Sequence, residues 1–268
     1  CVEGTQIKEE EKSRYIELIQ KTVSNIQKSK TEKIVISRKE EVSLKSFDFK
    51  IVFERMLNNY KNALVYCWFH PKVGLWMGAT PERLVSLREN QFVTMALAGT
   101  QVFNGNKNPV WGEKEQKEHQ YVVDYIVSQI QDPNNGIILE DFEVSKTYTS
   151  KAGNLLHLKA DIKGEIGDFN LKQLLKTLHP TPAVCGLPKK EAQSFILENE
   201  NYSRSFYTGF LGEMNVNAKT ELFVNLRCVE FKNQQAHIYI GGGITSESNP
   251  QKEWEETIAK TKTIKKVL

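Results

Sequence analysis

The chain has little cysteine, no long apolar run and almost no excess of either charge. Its four cysteines, Cys1, Cys67, Cys185 and Cys228, include no CxxC pair. That excludes the usual thiolate zinc patterns and a dense disulfide framework. Cys67 and Cys228 sit in apolar, strand-like runs and read as reduced core thiols. No run of about 18 apolar residues occurs, which excludes a helix across a membrane, and no signal-peptide pattern is present. A cytoplasmic protein without a membrane partner is therefore expected. The formal net charge is only +3, from 36 basic and 33 acidic residues, so nucleic acid is not an expected partner. Small anions at local basic positions stay open. There is no low-complexity tract, no linker and no regular βα repeat. The 268 residues, 40% hydrophobic, read as one domain, 1–268, long enough to bury a sizeable core. The chain opens at Cys1, as a processed or shortened chain would. No feature sets an oligomeric state; a monomer is the simpler expectation.

What is present is a set of periodic segments. Residues 9–27 form a helix with Tyr15, Ile16, Ile19, Val23 and Ile26 as its apolar stripe. Ile34–Ile36 is a short strand, and period two puts Lys33, Val35 and Ser37 on one face. A helix over 47–60 precedes strands at Ala63–Phe69, Val73–Met77, Leu84–Leu87 and Phe92–Leu97. Residues 101–112 read as a loop. The helix after it carries Val122, Val123, Ile126, Val127 and Ile130 on one stripe, with Glu118 and His119 at or beside that packed face. Strands follow at Ile137–Val144 and Leu155–Ile162, then a helix over 167–178. Three prolines between His179 and Pro188 exclude regular helix there. A short helix with Ala192, Phe195 and Ile196 leads to strands at Tyr207–Met214, Glu221–Phe231 and His237–Ile240. Many strands with few long helices give an α+β domain: a large two-layer β-sandwich with helices packed outside.

The C-terminal stretch concentrates the chemistry. A strand ending at Ile240 runs into Gly241, Gly242 and Gly243, whose backbone amides a ligand can approach closely. Pro250 suits the first turn of the next helix, with Asn249 or Ser248 as cap. On that helix Glu253, Glu256 and Lys260 share one face. The pattern suits a small-anion or metal site, or a solvated helix after a glycine turn. Lys33 alone reads as a surface lysine and Glu82 as a turn residue. Glu118 is less ordinary, being a carboxylate at a packed face.

Nine motifs in order carry a resemblance. They are Lys33–Arg38, Gly78–Leu84, Leu97–Thr100, Lys117–His119, Leu156–Leu158, His179–Pro188, Tyr207–Gly209, Asn225–Cys228 and Gly241–Lys260. Together they resemble the chorismate-utilising enzymes, over nearly all of residues 31–260, and the isochorismate synthases most closely. The resemblance implies a magnesium-dependent isomerase that converts chorismate to isochorismate. It makes Lys33 the general base, Glu82 the general acid, and Glu118 and Glu256 the Mg2+ carboxylates with Glu253 close by. Hard carboxylate oxygens suit magnesium. Tyr207, Arg227 and Lys260 become partners of the substrate carboxylates. Gly241, Gly242 and Gly243, with Ala98, Gly99, Thr100 and His157, complete the substrate site. Water would add at C2, the ring double bond would shift, and the C4 hydroxyl would leave. Lys33 must then be neutral and Glu82 protonated.

Within the family, Ala96–Thr100 lacks the lysine of the aminodeoxychorismate-forming members, and Lys33 suits water over ammonia as nucleophile. Salicylate synthase, which also eliminates pyruvate, is the alternative; the small Ala183 favours isochorismate as the released product. A magnesium enzyme on another carboxylated metabolite and a non-catalytic binding module are the other readings. The product would feed menaquinone synthesis, with siderophore synthesis as the other outlet. Cys185 stands where many relatives have a small residue. Relatives also carry a longer stretch ahead of the lysine motif, so some N-terminal strands of the family are expected to be missing.

Overall fold

The computed structural model describes residues 9–106, 109–167 and 169–268. The chain runs α1 (Glu9–Lys28), β1 (Lys33–Ser43), α2 (Phe49–Asn59), β2 (Leu64–His70), β3 (Gly74–Thr80), β4 (Arg83–Arg88) and β5 (Gln91–Val102). It continues with α3 (Glu113–Gln131), β6 (Leu139–Val144), β7 (Tyr148–Ala152), β8 (Leu155–Ile166), α4 (Leu171–Leu178), β9 (Gly186–Leu187) and α5 (Lys189–Asn199). It closes with β10 (Phe210–Val216), β11 (Lys219–Val224), β12 (Cys228–Lys232), β13 (Gln235–Ile244) and α6 (Pro250–Lys265). Among the described residues no helix is long and apolar enough to cross a membrane.

The strands form two antiparallel sheets. The first has the order β2-β3-β12-β13-β1-β9; the second has β10-β11-β4-β5-β8-β6, with β7 also paired to β8. The expected α+β class is found, two large sheets with helices packed on them. Side-chain period decides which face each strand buries. In β1, Ile34 and Ile36 join Tyr15, Ile19 and Ile26 of α1. Lys33, Val35 and Ser37 point the other way, as expected. Val52 and Met56 of α2 pack on Met77, Val229 and Ile238 of the first sheet. Val122, Ile126 and Ile130 of α3, with Leu174 and Leu178 of α4, pack on Leu84, Phe92 and Ile162 of the second. These apolar clusters lie between a sheet and its helices.

Helix ends follow local chemistry. Three glutamates open α1 and Lys28 closes it, matching the helix dipole. Asp48 caps α2 by accepting from Lys50 N at 2.9 Å. Asn249 caps α6 by accepting from Lys252 N at 3.0 Å, with Pro250 in the first turn.

Several expected boundaries move. The span Glu221–Phe231 is two strands, β11 in the second sheet and β12 in the first, broken at Asn225–Arg227. Arg227 has φ +49°, which turns the chain from one sheet to the other. Tyr207 lies in a turn ahead of β10, where Thr208 has φ +62°. The glycines Gly241–Gly243 are no turn: they continue β13, paired with Val35, Ile36 and Ser37 of β1. β1 is much longer than Ile34–Ile36, β5 extends to Val102, and β7 was not expected. Cys67, Cys185 and Cys228 are free thiols, Cys185 and Cys228 buried.

Candidate active site

The chain passes directly from one sheet to the other at two places, β3 to β4 through Pro81-Glu82, and β11 to β12 through Asn225–Arg227. The two crossings are bonded to each other. Val224 N donates to Glu82 O at 2.9 Å, Thr80 Oγ1 to Val224 O at 2.5 Å, and Ala79 N to Arg227 O at 3.2 Å. Glu82 and Arg227 are therefore set side by side where the sheets join.

Both line a cavity of about 110 Å³. Ala98, Gly99 and Thr100 of β5, His157 of β8, Glu118 of α3, Tyr207, Gly241–Gly243 of β13 and Lys260 of α6 line it too. Twelve of the fifteen candidate residues thus share one cleft built by strands of both sheets. Lys33 and Glu256 are outside that lining but pair with the lining residues Glu118 and Lys260, and Glu253 is also outside it.

Lys33 is fully buried, contrary to the ordinary expectation for a lysine that opens a strand. Its Nζ lies 3.0 Å from Glu118 Oε1, but the geometry is that of an ion pair and its N–H groups have no hydrogen-bond partner. Glu82 is 4% exposed. Burial pushes its carboxyl up to about 8, against the opposing pull of Lys33 and Arg227, so it keeps its proton at neutral pH. Burial also works to raise the Glu118 carboxyl, but Lys33 and Lys114 together hold it below its ordinary value.

His157 lines the cavity and is also bonded on both ring nitrogens. Its Nδ1–H donates to Gly99 O at 2.9 Å, which leaves Nε2 to accept from Arg227 Nη2 at 2.5 Å. Burial and the Arg227 charge keep this imidazole neutral. Arg227 Nη1 also donates to Ala152 O at 2.9 Å. His157 thereby holds the guanidinium in place. Burial lowers Arg227 to about 10, so it stays charged at neutral pH. The buried phenol of Tyr207 is raised well above its ordinary value and remains a donor.

The glycines supply room. A Cβ on Gly243 would stand 2.2 Å from Glu118 Oε1 and 2.8 Å from Lys33 Cε; one on Gly241 would stand 2.7 Å from the Tyr207 hydroxyl. Pairing of β13 with β12 stops at Ile238, so beyond it β13 is open on that edge. Lys260 Nζ uses that opening to donate to Gly241 O at 2.9 Å.

The carboxylates expected to hold a metal are each met by a lysine. Lys33 faces Glu118, Lys260 lies 2.7 Å from Glu256, and Lys114 pairs with Glu253. Burial, and then the charge of Glu256, raise the Glu253 carboxyl. Among the described residues, no three His, Cys, Asp or Glu side chains stand close enough to hold an ion as they lie. The donor chemistry nevertheless fits a hard divalent cation: three carboxylates from α3 and α6, with oxygen ligands only. Sequence reasoning missed Lys114, though its position four residues before Glu118 was a usable signal. It also missed Glu200 and Arg204. Glu200 Oε1 accepts from Ser37 N at 2.6 Å, while Arg204 donates to Val35 O at 2.7 Å and Val184 O at 3.0 Å. The pair finishes the edge of β1 and holds the cleft wall at Val35 and Val184.

Known proteins similar to this chain are chorismate enzymes. The chain is 32% identical over 202 residues to the vibriobactin-specific isochorismate synthase of Vibrio cholerae, covering 70% of this chain and 49% of that one. It is 32% identical over 205 residues to the isochorismate synthase DhbC of Bacillus subtilis, covering 72% and 50%. The chain spans about half the length of these curated relatives. A crystal structure assigned to a 2,3-dihydroxybenzoate-specific isochorismate synthase, DhbC, of Bacillus anthracis superposes with a TM-score of 0.86. It is 28% identical, and the match covers 96% of this chain and 71% of that one. The family described as chorismate binding enzyme matches residues 2–268, and the chain belongs to that family.

Proposed function

We propose that this chain converts chorismate to isochorismate. The observation that carries the reading is that Glu82 and Lys33 are both buried at one site. One is a buried carboxyl that keeps its proton at neutral pH; the other is a buried amine with unspent donors within electrostatic reach of it. Water addition with loss of a hydroxyl needs an acid and a base in one enclosed site. Lys33, once free of its proton, takes one from the water that adds at C2. The ring double bond shifts, and the C4 hydroxyl leaves with the Glu82 proton as water. One water enters and one departs, so the product is an isomer. Proton return from Lys33 to Glu82 resets the site.

Arg227, Tyr207 and Lys260 bind the substrate carboxylates, and the arginine fork, fixed by His157, sets their angle. Ala98 and Gly99 leave room for the ring, and Thr100 offers a hydroxyl beside it. Glu118, Glu253 and Glu256 are the residues that would hold Mg2+, which when bound would offset the charge of a substrate carboxylate. The names of the relatives support isochorismate as product. They point to siderophore synthesis through vibriobactin and dihydroxybenzoate, with the menaquinone outlet expected above as the other destination.

The test is an assay of the purified chain with chorismate and Mg2+, products separated by chromatography. Isochorismate without salicylate is expected. Salicylate with pyruvate would replace this reading by salicylate synthase, and binding of chorismate without product would replace it by a binding module.

A further inference from the structure

We propose that Lys114 is a built-in counter-cation of the acidic cluster, displaced when a divalent cation enters. The inference rests on reading Glu118, Glu253 and Glu256 as the metal carboxylates. Lys114 stands in the first turn of α3, four residues before Glu118 and on the same helix face. Its ammonium pairs with Glu253, whose side chain is only 3% exposed, and it lies within electrostatic reach of Glu118 and Glu256 as well. A carboxylate so enclosed is costly to leave without a positive neighbour. Lys114 is the cation that pairs with it.

The three lysines of the cluster differ in freedom. Lys33 is fully buried and cannot withdraw. Lys260 keeps a second anchor on Gly241 O whatever happens at Glu256. The Lys114 side chain is 25% exposed, in the first turn of a helix preceded at 109–112 by residues outside any helix or strand, so its amine has a path to solvent. A metal ion bound through Glu253 and an ammonium bound to the same oxygen compete for one position. Entry of the metal therefore expels this amine, and the affinity for the metal is what remains after that exchange.

The experiment is calorimetric titration of the whole chain with MgCl2, without chorismate. Lys114→Met, which keeps length and removes charge, is expected to bind Mg2+ at least tenfold more tightly than wild type. Lys114→Gln should behave alike, and Lys114→Arg should stay near wild type. A measurement on the unaltered chain needs no variant to fold: Mg2+ should increase labelling of Lys114 by an amine-reactive reagent, read by peptide mass spectrometry. Unchanged or weaker affinity in both neutral variants, or labelling that does not rise with Mg2+, overturns the exchange. Wild-type chain that binds no Mg2+ at all overturns the exchange and the metal assignment together. Isochorismate formation in a separate chorismate assay then shows whether the catalytic reading survives.

Discussion

Glu82 keeps its proton because burial outweighs two nearby cations, and that balance has consequences for both rate and stability. Turnover is expected to fall as pH rises through about 8, where Glu82 loses the proton it donates. A pH–rate profile with chorismate checks this, and Glu82→Gln should lack that limb because it has no turnover to lose. Stability follows the same group. The folded chain holds this proton up to about 8, whereas the unfolded carboxyl releases it near its ordinary 4.5. The contribution is fully present below 4.5 and is lost as pH rises through 8, which urea titrations at several pH values can follow. Lys33→Ala is expected to reduce turnover at least a hundredfold with native circular dichroism. Gly243→Ala should cost as much, because its Cβ would displace both Glu118 and Lys33. At this scale the sequence was legible through motif order. The burial of Lys33 was not, because it comes from Glu118 on a helix 85 positions along the chain.

Elements were legible where period and caps agree. α1, α3 and α6 carry clear apolar stripes or capping residues, and each was found within a few residues of its expected span. The break between β11 and β12 was hidden because apolar alternation runs across it, through Leu222, Val224, Leu226 and Cys228, and the residue that turns the chain is an arginine, not a glycine. β7 was hidden because its sequence, YTSKA, is largely polar and its place is set by pairing with β8. β1 shows how an element is completed from outside itself. Where strand pairing with β9 ends at Ile34, Glu200 and Arg204 take over its edge. Glu200→Ala strands the Ser37 amide and the Arg204 guanidinium together. A loss of about 3 kcal/mol is expected in chemical denaturation, with KM raised because Val35 and Val184 form the cleft wall.

Over the whole molecule, the cleft is lined by strands of both sheets, so a ligand that fills it bonds one sheet to the other. Chorismate with Mg2+ at about a hundred times its Kd should add about 2.7 kcal/mol and raise Tm by several degrees. A thermal-shift titration checks this; no shift at a concentration that supports turnover would contradict a site shared by both sheets. The α+β class was legible from the count and spacing of strands, yet which strand joins which sheet was not, since the chain changes sheet at short, ordinary-looking links. Those links, Pro81-Glu82 and Asn225–Arg227, also act mechanically. Bonded side by side, they form a common seam between the two sheets. The acid and the guanidinium sit on that seam, so their spacing is set by the backbone bonds that close it, whereas Glu118, Glu253 and Glu256 ride on the helices α3 and α6.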